Sequence, residues 1–129
     1  MRKVEVQFGS GPLQQRLSVG DLHFLSDSEV SRGGDGTGPS PHELLAAALG
    51  ACTGMTLKMY AERKQWSLQN AIISVDIVRE NNIERFIRTI QLIGDLNQEQ
   101  KERFKDIANK CPIHKALSGE IEIQTECIA

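Results

Sequence analysis

The sequence predicts an α+β fold in which antiparallel strands accompany one long central helix. Segments that alternate polar and apolar residues follow one another along the chain, and only short turns separate them. Helical segments occur singly between these groups, which gives the order β-β-β, α, β-β, α, β. A doubly wound α/β fold would instead alternate strands and helices throughout. The 129 residues therefore predict a single domain, residues 1–129, with no repeat and no linker.

Six segments show the alternation that is typical of half-buried strands. Asn81-Asn82 predicts a two-residue hairpin turn between the fourth and the fifth segment. The glycine-rich residues 31–38 are expected to form a flexible loop after the third. The six predicted strands cover residues 3–8, 13–19, 21–26, 71–80, 83–93 and 119–128. On the first strand of the hairpin, Ile73, Val75 and Ile77 are expected to be buried. On the second strand, the buried face is either the one that carries Phe86 or the one that carries Ile87.

The long helix is predicted from Pro41 to about Gln65. Ser40 and Glu43 have the spacing of a capping box, and Pro41 occupies the first helical position, where its missing N–H costs nothing. The first half of the helix (LLAAALGACTGM) is apolar nearly all round, which predicts burial. Two glycines lie in this half, and each costs about 1 kcal/mol of helix propensity relative to alanine. Close packing of another backbone is the simplest compensation.

A second helix is predicted to begin at Asn97, where Gln100 completes another capping box. It should end near Cys111, because Pro112 disfavours helical backbone in the residue before it. Residues 113–117 are expected to form a further short helix.

Composition excludes several classes of function. The net charge of −2, with acidic and basic residues interspersed, gives no basic surface for nucleic acid and no reason to expect membrane binding. We find no uninterrupted apolar run of about 18 residues and no apolar signal region at the N-terminus, so a cytoplasmic location is expected. The spacing of the three cysteines and three histidines matches no zinc pattern, so no metal is expected.

The three cysteines differ in their surroundings. Cys52 lies in the small-residue part of the long helix, where a cysteine usually serves as a small inert hydrophobe. Cys111 is predicted at a helix C-terminus, where the helix dipole raises the pKa of a thiol and the neighbouring Lys110 and Lys115 lower it. Cys127 alternates with apolar residues of the last strand and is interpreted as packing. Cys52 and Cys111 are 59 positions apart, and spacing alone does not show that they meet.

Two motifs resemble those of the OsmC/Ohr family, the osmotically inducible and organic hydroperoxide resistance proteins. Residues 38–52 (GPSPHELLAAALGAC) are similar to the central-helix motif of the family, and residues 109–117 (NKCPIHKAL) are similar to its second-cysteine motif. The order of elements is also similar, so the resemblance covers essentially the whole chain. It implies an OsmC-like fold, with antiparallel sheets wrapped around the central helix, in an intertwined homodimer whose two active sites lie at the subunit interface.

The resemblance also implies a thiol peroxidase. The thiolate of Cys52 would attack the O–O bond of an organic hydroperoxide, and the resulting sulfenic acid would condense with Cys111 to form a disulfide. A small thiol or dithiol would then reduce the disulfide, and neither a metal nor an organic cofactor would be required. Burial of Cys52 disfavours its thiolate, so a nearby cation is expected.

In the family pattern, that cation is an arginine of the N-terminal hairpin held by a glutamate early in the central helix. The resemblance assigns these roles to Arg16, with Arg32 as the alternative, and to Glu43. This chain departs from the pattern, because His42 follows the proline and Glu43 is one position later. One helical step is about 100°, so Glu43 need not point where the usual glutamate does. Its capping box is a second explanation, and His42 is interpreted as a solvated first-turn residue.

Three functional hypotheses follow. The first is a peroxidase for organic hydroperoxides or hydrogen peroxide. The second is a redox sensor or small-ligand-binding protein on the same scaffold, without turnover. The third is a dimer whose cysteines only fill the core. The reactivity of Cys52 and Cys111 distinguishes the third from the others.

Overall fold

The computed structural model describes residues 1–128 and shows an α+β protein, as predicted. The chain forms two compact units, Met1–Leu45 and a second that begins at Ala46. Three α-helices, one short 3₁₀ helix (Val30–Arg32) and two antiparallel sheets make up the regular structure of the described residues. The elements are β1 (Val4–Phe8), β2 (Gln15–Val19), β3 (Leu22–Ser26), α1 (Pro41–Lys64), β4 (Ser67–Glu80), β5 (Ile83–Asp95), α2 (Gln98–Ala108) and α3 (Pro112–Ser118).

The N-terminal unit contains a three-stranded meander in the order β1-β2-β3. The glycine-rich segment after it is organised by the buried carboxylate of Asp27, contrary to the expected flexible loop. This carboxylate accepts hydrogen bonds from the amides of Ser28, Asp35 and Thr37 and, at 2.6 Å, from the Thr37 hydroxyl. The Thr37 hydroxyl is the main cause of the lowered pKa of Asp27, and the three amides add to it. One acidic side chain therefore fixes the path of the loop.

Helix α1 begins with the predicted capping box. The Glu43 amide donates to Ser40 Oγ at 3.2 Å, and Glu43 Oε1 accepts from the Ser40 amide at 2.8 Å. The prediction that the first half of α1 is buried was wrong for the single chain. Only Leu49 and Thr53 are buried there, whereas Leu45, Ala51 and Met55 are exposed. A two-stranded sheet covers only one side of the helix.

The hairpin β4-β5 provides that cover and confirms the predicted turn. Asn81 and Asn82 both have positive φ, 52° and 63°, as a type I′ turn requires. The alternation places Ile73, Val75 and Ile77 on the half-buried face of β4. On β5 the half-buried face carries Phe86, and Ile87 is exposed, which settles the alternative left open by the sequence.

The two glycines of α1 lie against this hairpin, as expected. A Cβ atom at Gly54 would lie 3.4 Å from Ile73 Cδ1, and one at Gly50 would lie 3.8 Å from Val75 Cγ2. The helix thus approaches β4 closely along the turns that flank Thr53. The local cost of glycine is offset by this contact.

The hydrophobic core lies at the second half of α1. Leu57, Tyr60 and Ala61 pack against Phe104, Ile107 and Ala108 of α2, and Trp66 covers them. The rings of Tyr60, Trp66 and Phe104 form three edge-to-face pairs, with centroid distances of 5.5–6.0 Å. Such pairs add stabilisation beyond their buried area.

Two boundaries near the C-terminus differ from the prediction. Helix α2 ends at Ala108, and Cys111 is the N-cap of α3 rather than the end of α2. Residues 119–128 are exposed and form no strand, although the sequence predicted one. Their side chains alternate as those of a strand do, but no strand among the described residues pairs with them.

Replacing Phe104 with alanine should lower the free energy of unfolding by about 3–5 kcal/mol, because this removes a buried ring from the aromatic cluster. Phe104 is 1% exposed, and Phe8, at 85%, is the matched control. Urea denaturation should show a change below about 0.5 kcal/mol for Phe8→Ala. Equal losses in the two variants would contradict the location of the core.

Candidate active site

The two helical cysteines converge in the second unit. Cys52 on α1 and Cys111 before α3 are both free thiols, and they lie close enough for each to shift the pKa of the other. Successive amides of the first turn of α3 donate to the two sulfurs. Ile113 N lies 3.5 Å from Cys52 Sγ, and His114 N lies 3.2 Å from Cys111 Sγ. Residues that are far apart in sequence therefore form one dithiol site.

The two sulfurs differ in accessibility. Cys52 is partly exposed, whereas Cys111 is 0% exposed. Thr53, also fully buried, places its hydroxyl oxygen 4.0 Å from Cys111 Sγ and donates to the carbonyl of Leu49 at 2.7 Å. A molecule that arrives from solvent would reach the sulfur of Cys52 first.

The two thiols are shifted in opposite directions. Burial raises the pKa of Cys52, and its hydrogen bond with Cys111 raises it further, against smaller effects of the Ile113 amide and the Thr56 hydroxyl. Burial would also raise the pKa of Cys111, but other groups bring it below its ordinary value. Those groups are the His114 amide, the Cys52 thiol, the Thr53 hydroxyl and the charge of Arg88. Of the two thiols, Cys111 is therefore the one that ionises first as the pH rises.

Arg88 was not among the residues selected from the sequence. Its guanidinium joins three segments through two terminal nitrogens. Nη1 donates to Thr53 Oγ1 at 3.0 Å and to the Ala108 carbonyl at 3.3 Å. Nη2 donates to Asn109 Oδ1 at 2.9 Å and contacts His114 Nδ1 at 3.0 Å. A sequence signal was available, since Arg88 alternates with Phe86 and Ile90 and so lies on the inner face of β5.

The contact with Arg88 fixes the protonation state of His114. A guanidinium only donates hydrogen bonds, so Nδ1 must accept, and a proton on Nδ1 would break the contact. Burial lowers the pKa of His114, and the charge of Arg88 lowers it further. His114 is thus a neutral acceptor in the folded protein.

The other selected residues belong to the N-terminal unit. Arg16 lies on β2 and, with residues of β3 such as His23 and Phe24, lines a cavity of about 420 Å³. Arg32 lies in a short 3₁₀ turn. Glu43 is ionised more readily than an ordinary glutamate, because the Ser40 amide and hydroxyl lower its pKa. Their roles beside Cys52 stay predictions.

Within residues 1–128, no group of three or more His, Cys, Asp and Glu side chains is arranged to hold a metal ion. Helix α1 is long and apolar enough to cross a bilayer by length and composition alone. The sequence had indicated no such segment. The helix packs its Thr53 side against β4 and β5.

Comparison with known proteins identifies the family. Residues 34–126 match the family described as OsmC-like protein. The chain belongs to the OsmC family. The match spans both cysteine motifs, and proteins of this family are soluble. No curated protein sequence matches the chain significantly.

Solved structures of the OsmC family share the fold at low sequence identity. An OsmC-like protein from Mycoplasma pneumoniae has a TM-score of 0.80 at 16% identity, over 92% of this chain and 88% of that one. An organic hydroperoxide resistance protein OsmC from Legionella pneumophila gives 0.66 at 22%, over 92% and 90%. The organic hydroperoxide resistance protein OhrB of Bacillus subtilis gives 0.61 at 24%, over 92% and 91%. The predicted OsmC-like fold is confirmed, and the identities indicate a divergent member.

Acidification should destabilise the protein through His114. Its folded pKa is below the ordinary value of 6.5, so the unfolded chain binds the proton more readily and stability falls as the pH falls through this range. The melting temperature should decrease between neutral pH and about pH 5.5, above the ordinary range of carboxyl groups. His114→Gln should lose most of this decrease.

His23→Gln serves as the control for this measurement, because His23 is exposed on β3. It should retain the wild-type dependence on pH. A His114→Gln variant with an undiminished decrease would show that another group is responsible.

Proposed function

We propose that the protein is a thiol-dependent peroxidase that reduces organic hydroperoxides, or hydrogen peroxide, in the cytoplasm as part of an oxidative stress response. The observation that supports it best is the convergence of the Cys52 and Cys111 sulfurs on two successive amides of α3, as free thiols whose pKa values are shifted in opposite directions. Membership of the OsmC family and the likeness to organic hydroperoxide resistance proteins support a redox role.

The proposed cycle begins at Cys52, the sulfur that is accessible from solvent. Its thiolate attacks the terminal, OH-bearing oxygen of the hydroperoxide, the O–O bond breaks, and the alkoxide leaves and is protonated to the alcohol. Cys52 is oxidised to a sulfenic acid. The thiolate of Cys111 attacks that sulfur, and hydroxide leaves as water, which forms the Cys52–Cys111 disulfide. Two thiol groups, from one dithiol or two monothiols, then reduce the disulfide.

The raised pKa of Cys52 sets a requirement for the first step. The thiol must lose its proton before attack, and an adjacent cation would favour the thiolate. We assign this role to Arg16, with Arg32 as the alternative, and the positioning of that arginine to Glu43. Glu43 is suited to this because its carboxyl is held ionised by Ser40.

A second copy of the chain is proposed as a partner. Large apolar side chains are exposed on α1 and on residues 119–128, and a single chain leaves them uncovered. An intertwined homodimer would bury the helix face and could supply a strand partner for the C-terminal segment. The exposed side chains concerned are Leu45, Met55, Met59, Ile121, Ile123 and Ile128.

A redox sensor without turnover is the second candidate. The same raised pKa of Cys52 favours it, because a predominantly protonated thiol reacts slowly with peroxide. Stoichiometric oxidation of the dithiol, without repeated turnover in the presence of a thiol reductant, would support this candidate.

Cys52→Ser should reduce turnover of cumene hydroperoxide to the rate of the buffer, measured with a dithiol reductant. Cys111→Ser should leave a persistent sulfenic acid at Cys52, which a dimedone adduct would show by mass spectrometry. Cys127→Ser is the matched control, because Cys127 is exposed and lies outside the dithiol. Equal turnover by wild type and Cys52→Ser would exclude the peroxidase.

Met55→Glu combined with Met59→Glu should dissociate the proposed dimer. Burying two carboxylates in an apolar interface should raise the dissociation constant by about a hundredfold or more. Sedimentation velocity measures this, and Lys58→Glu, at an exposed position of the same helix, is the control. A wild-type protein that sediments as a monomer at high concentration would refute the dimer.

A further inference from the structure

Among the described residues, the half-buried guanidinium of Arg88 has four hydrogen-bond partners, and all of them are neutral. They are the Thr53 hydroxyl, the Ala108 carbonyl, the Asn109 amide oxygen and the His114 ring. Neutral acceptors satisfy the N–H groups of a guanidinium but leave its charge without a counter-ion. A cation removed from water is costly unless an anion lies nearby. The arrangement therefore points to an anion beside these partners.

The sulfur of Cys111 occupies that position. Two of the groups that hold Arg88 also contact this sulfur. Thr53 Oγ1 lies 3.0 Å from Arg88 Nη1 and 4.0 Å from Cys111 Sγ. The His114 ring holds Arg88 at 3.0 Å, and the His114 amide donates to Cys111 Sγ at 3.2 Å. Arg88 is thus fixed from both sides next to a fully buried sulfur.

The accessibility of the two sulfurs is unequal. In a disulfide between them, an external thiolate could approach Cys52, which is partly exposed, whereas Cys111 has no exposed surface. Attack on Cys52 makes Cys111 the leaving group. A leaving thiolate departs faster when its charge is stabilised.

We infer that Arg88 is a positioning residue that makes Cys111 the sulfur released as a thiolate whenever the disulfide is reduced. This role of Arg88 rests on the thiol redox cycle proposed above. An external thiolate attacks Cys52 Sγ, a mixed disulfide forms at Cys52, and the electron pair of the broken S–S bond goes to Cys111. A second thiol then releases Cys52 and leaves with the first as an oxidised disulfide. The same thiolate of Cys111 attacks the sulfenic acid in the oxidative half.

The pKa of Cys111 is lowered by the His114 amide, then by the Cys52 thiol and the Thr53 hydroxyl, and further by the charge of Arg88, in the direction that this role requires. The other titratable groups that face this sulfur are Cys52 of α1 and His114 of α3, and His114 is neutral. Lys110 and Lys115 flank it in sequence, but both side chains are exposed and screened by solvent.

The test measures the ionisation of Cys111 directly, in protein that cannot complete the cycle. A background that carries Cys52→Ser and Cys127→Ser leaves Cys111 as the only thiol, so its thiolate absorbance in the ultraviolet can be titrated with pH. The same protein with Cys111→Ser supplies the blank for the tyrosine. Arg88→Gln should shift the titration to higher pH and reduce the thiolate signal at neutral pH about tenfold, whereas Arg88→Lys should restore much of it.

Arg85→Gln is the matched control, because Arg85 is exposed on the same strand and pairs with Glu80 at 3.7 Å. It should leave the titration unchanged. A folded Arg88→Gln protein that titrates like Arg85→Gln overturns the inference. If Arg88→Gln does not fold, Asn109→Ala decides, since it removes one exposed anchor of the guanidinium. A shift to higher pH supports the inference, and an unchanged titration overturns it.

The site of release is tested separately on wild-type protein. Diamide oxidises the dithiol without peroxide, and brief exposure to cysteamine followed by acid traps the mixed disulfide for mapping by mass spectrometry. An adduct on Cys52 supports release of Cys111, and an adduct on Cys111 overturns it. If diamide forms no Cys52–Cys111 disulfide, the proposed cycle fails, while the titration still reports on Arg88.

Discussion

The hydrogen bonds of Arg88 are the interaction on which the dithiol site depends. The side chain projects from the inner face of β5 and joins α1, the end of α2 and the start of α3. Each of these segments carries or adjoins one of the groups around the sulfurs. Because a guanidinium has a rigid, planar set of donors, it fixes the relative positions of its acceptors better than a flexible ammonium would. The distance between Cys52 and Cys111 is thereby tied to the geometry of one cation.

Close packing between α1 and β4 complements this interaction. Gly50 lies three residues before Thr53, and Gly54 lies directly after it. The side chains of β4 therefore pack closely against α1 beside the hydroxyl that contacts Arg88. A larger residue at these positions would meet side chains of β4. The poor helix propensity of glycine is therefore the local cost of placing a helix hydroxyl within reach of a strand arginine.

Sequence reasoning predicted most elements because their signals are local. Capping boxes at Ser40 and Asn97, the Asn81-Asn82 turn and the alternation of the strands each depend on neighbours along the chain.

The environment of Cys111 was not predictable in this way. The break between α2 and α3 comes three residues earlier than expected, and this changes Cys111 from a helix end to an N-cap. Arg88 was missed because an arginine in a strand usually points to solvent, and its partners come from three separate segments. The strand predicted for residues 119–128 was wrong because alternation shows only that a segment suits a strand. It does not show that another strand is available to pair with it.

The two halves of helix α1 have different structural roles. Its second half holds the aromatic cluster, and its first half presents Cys52 and Thr53 about one to two turns earlier. Most of the apolar anchoring therefore lies away from the sulfurs. Polar and ionisable side chains around the dithiol can be exchanged while the anchor remains, so the charge around the sulfurs and the stability of the fold can change independently over evolutionary time.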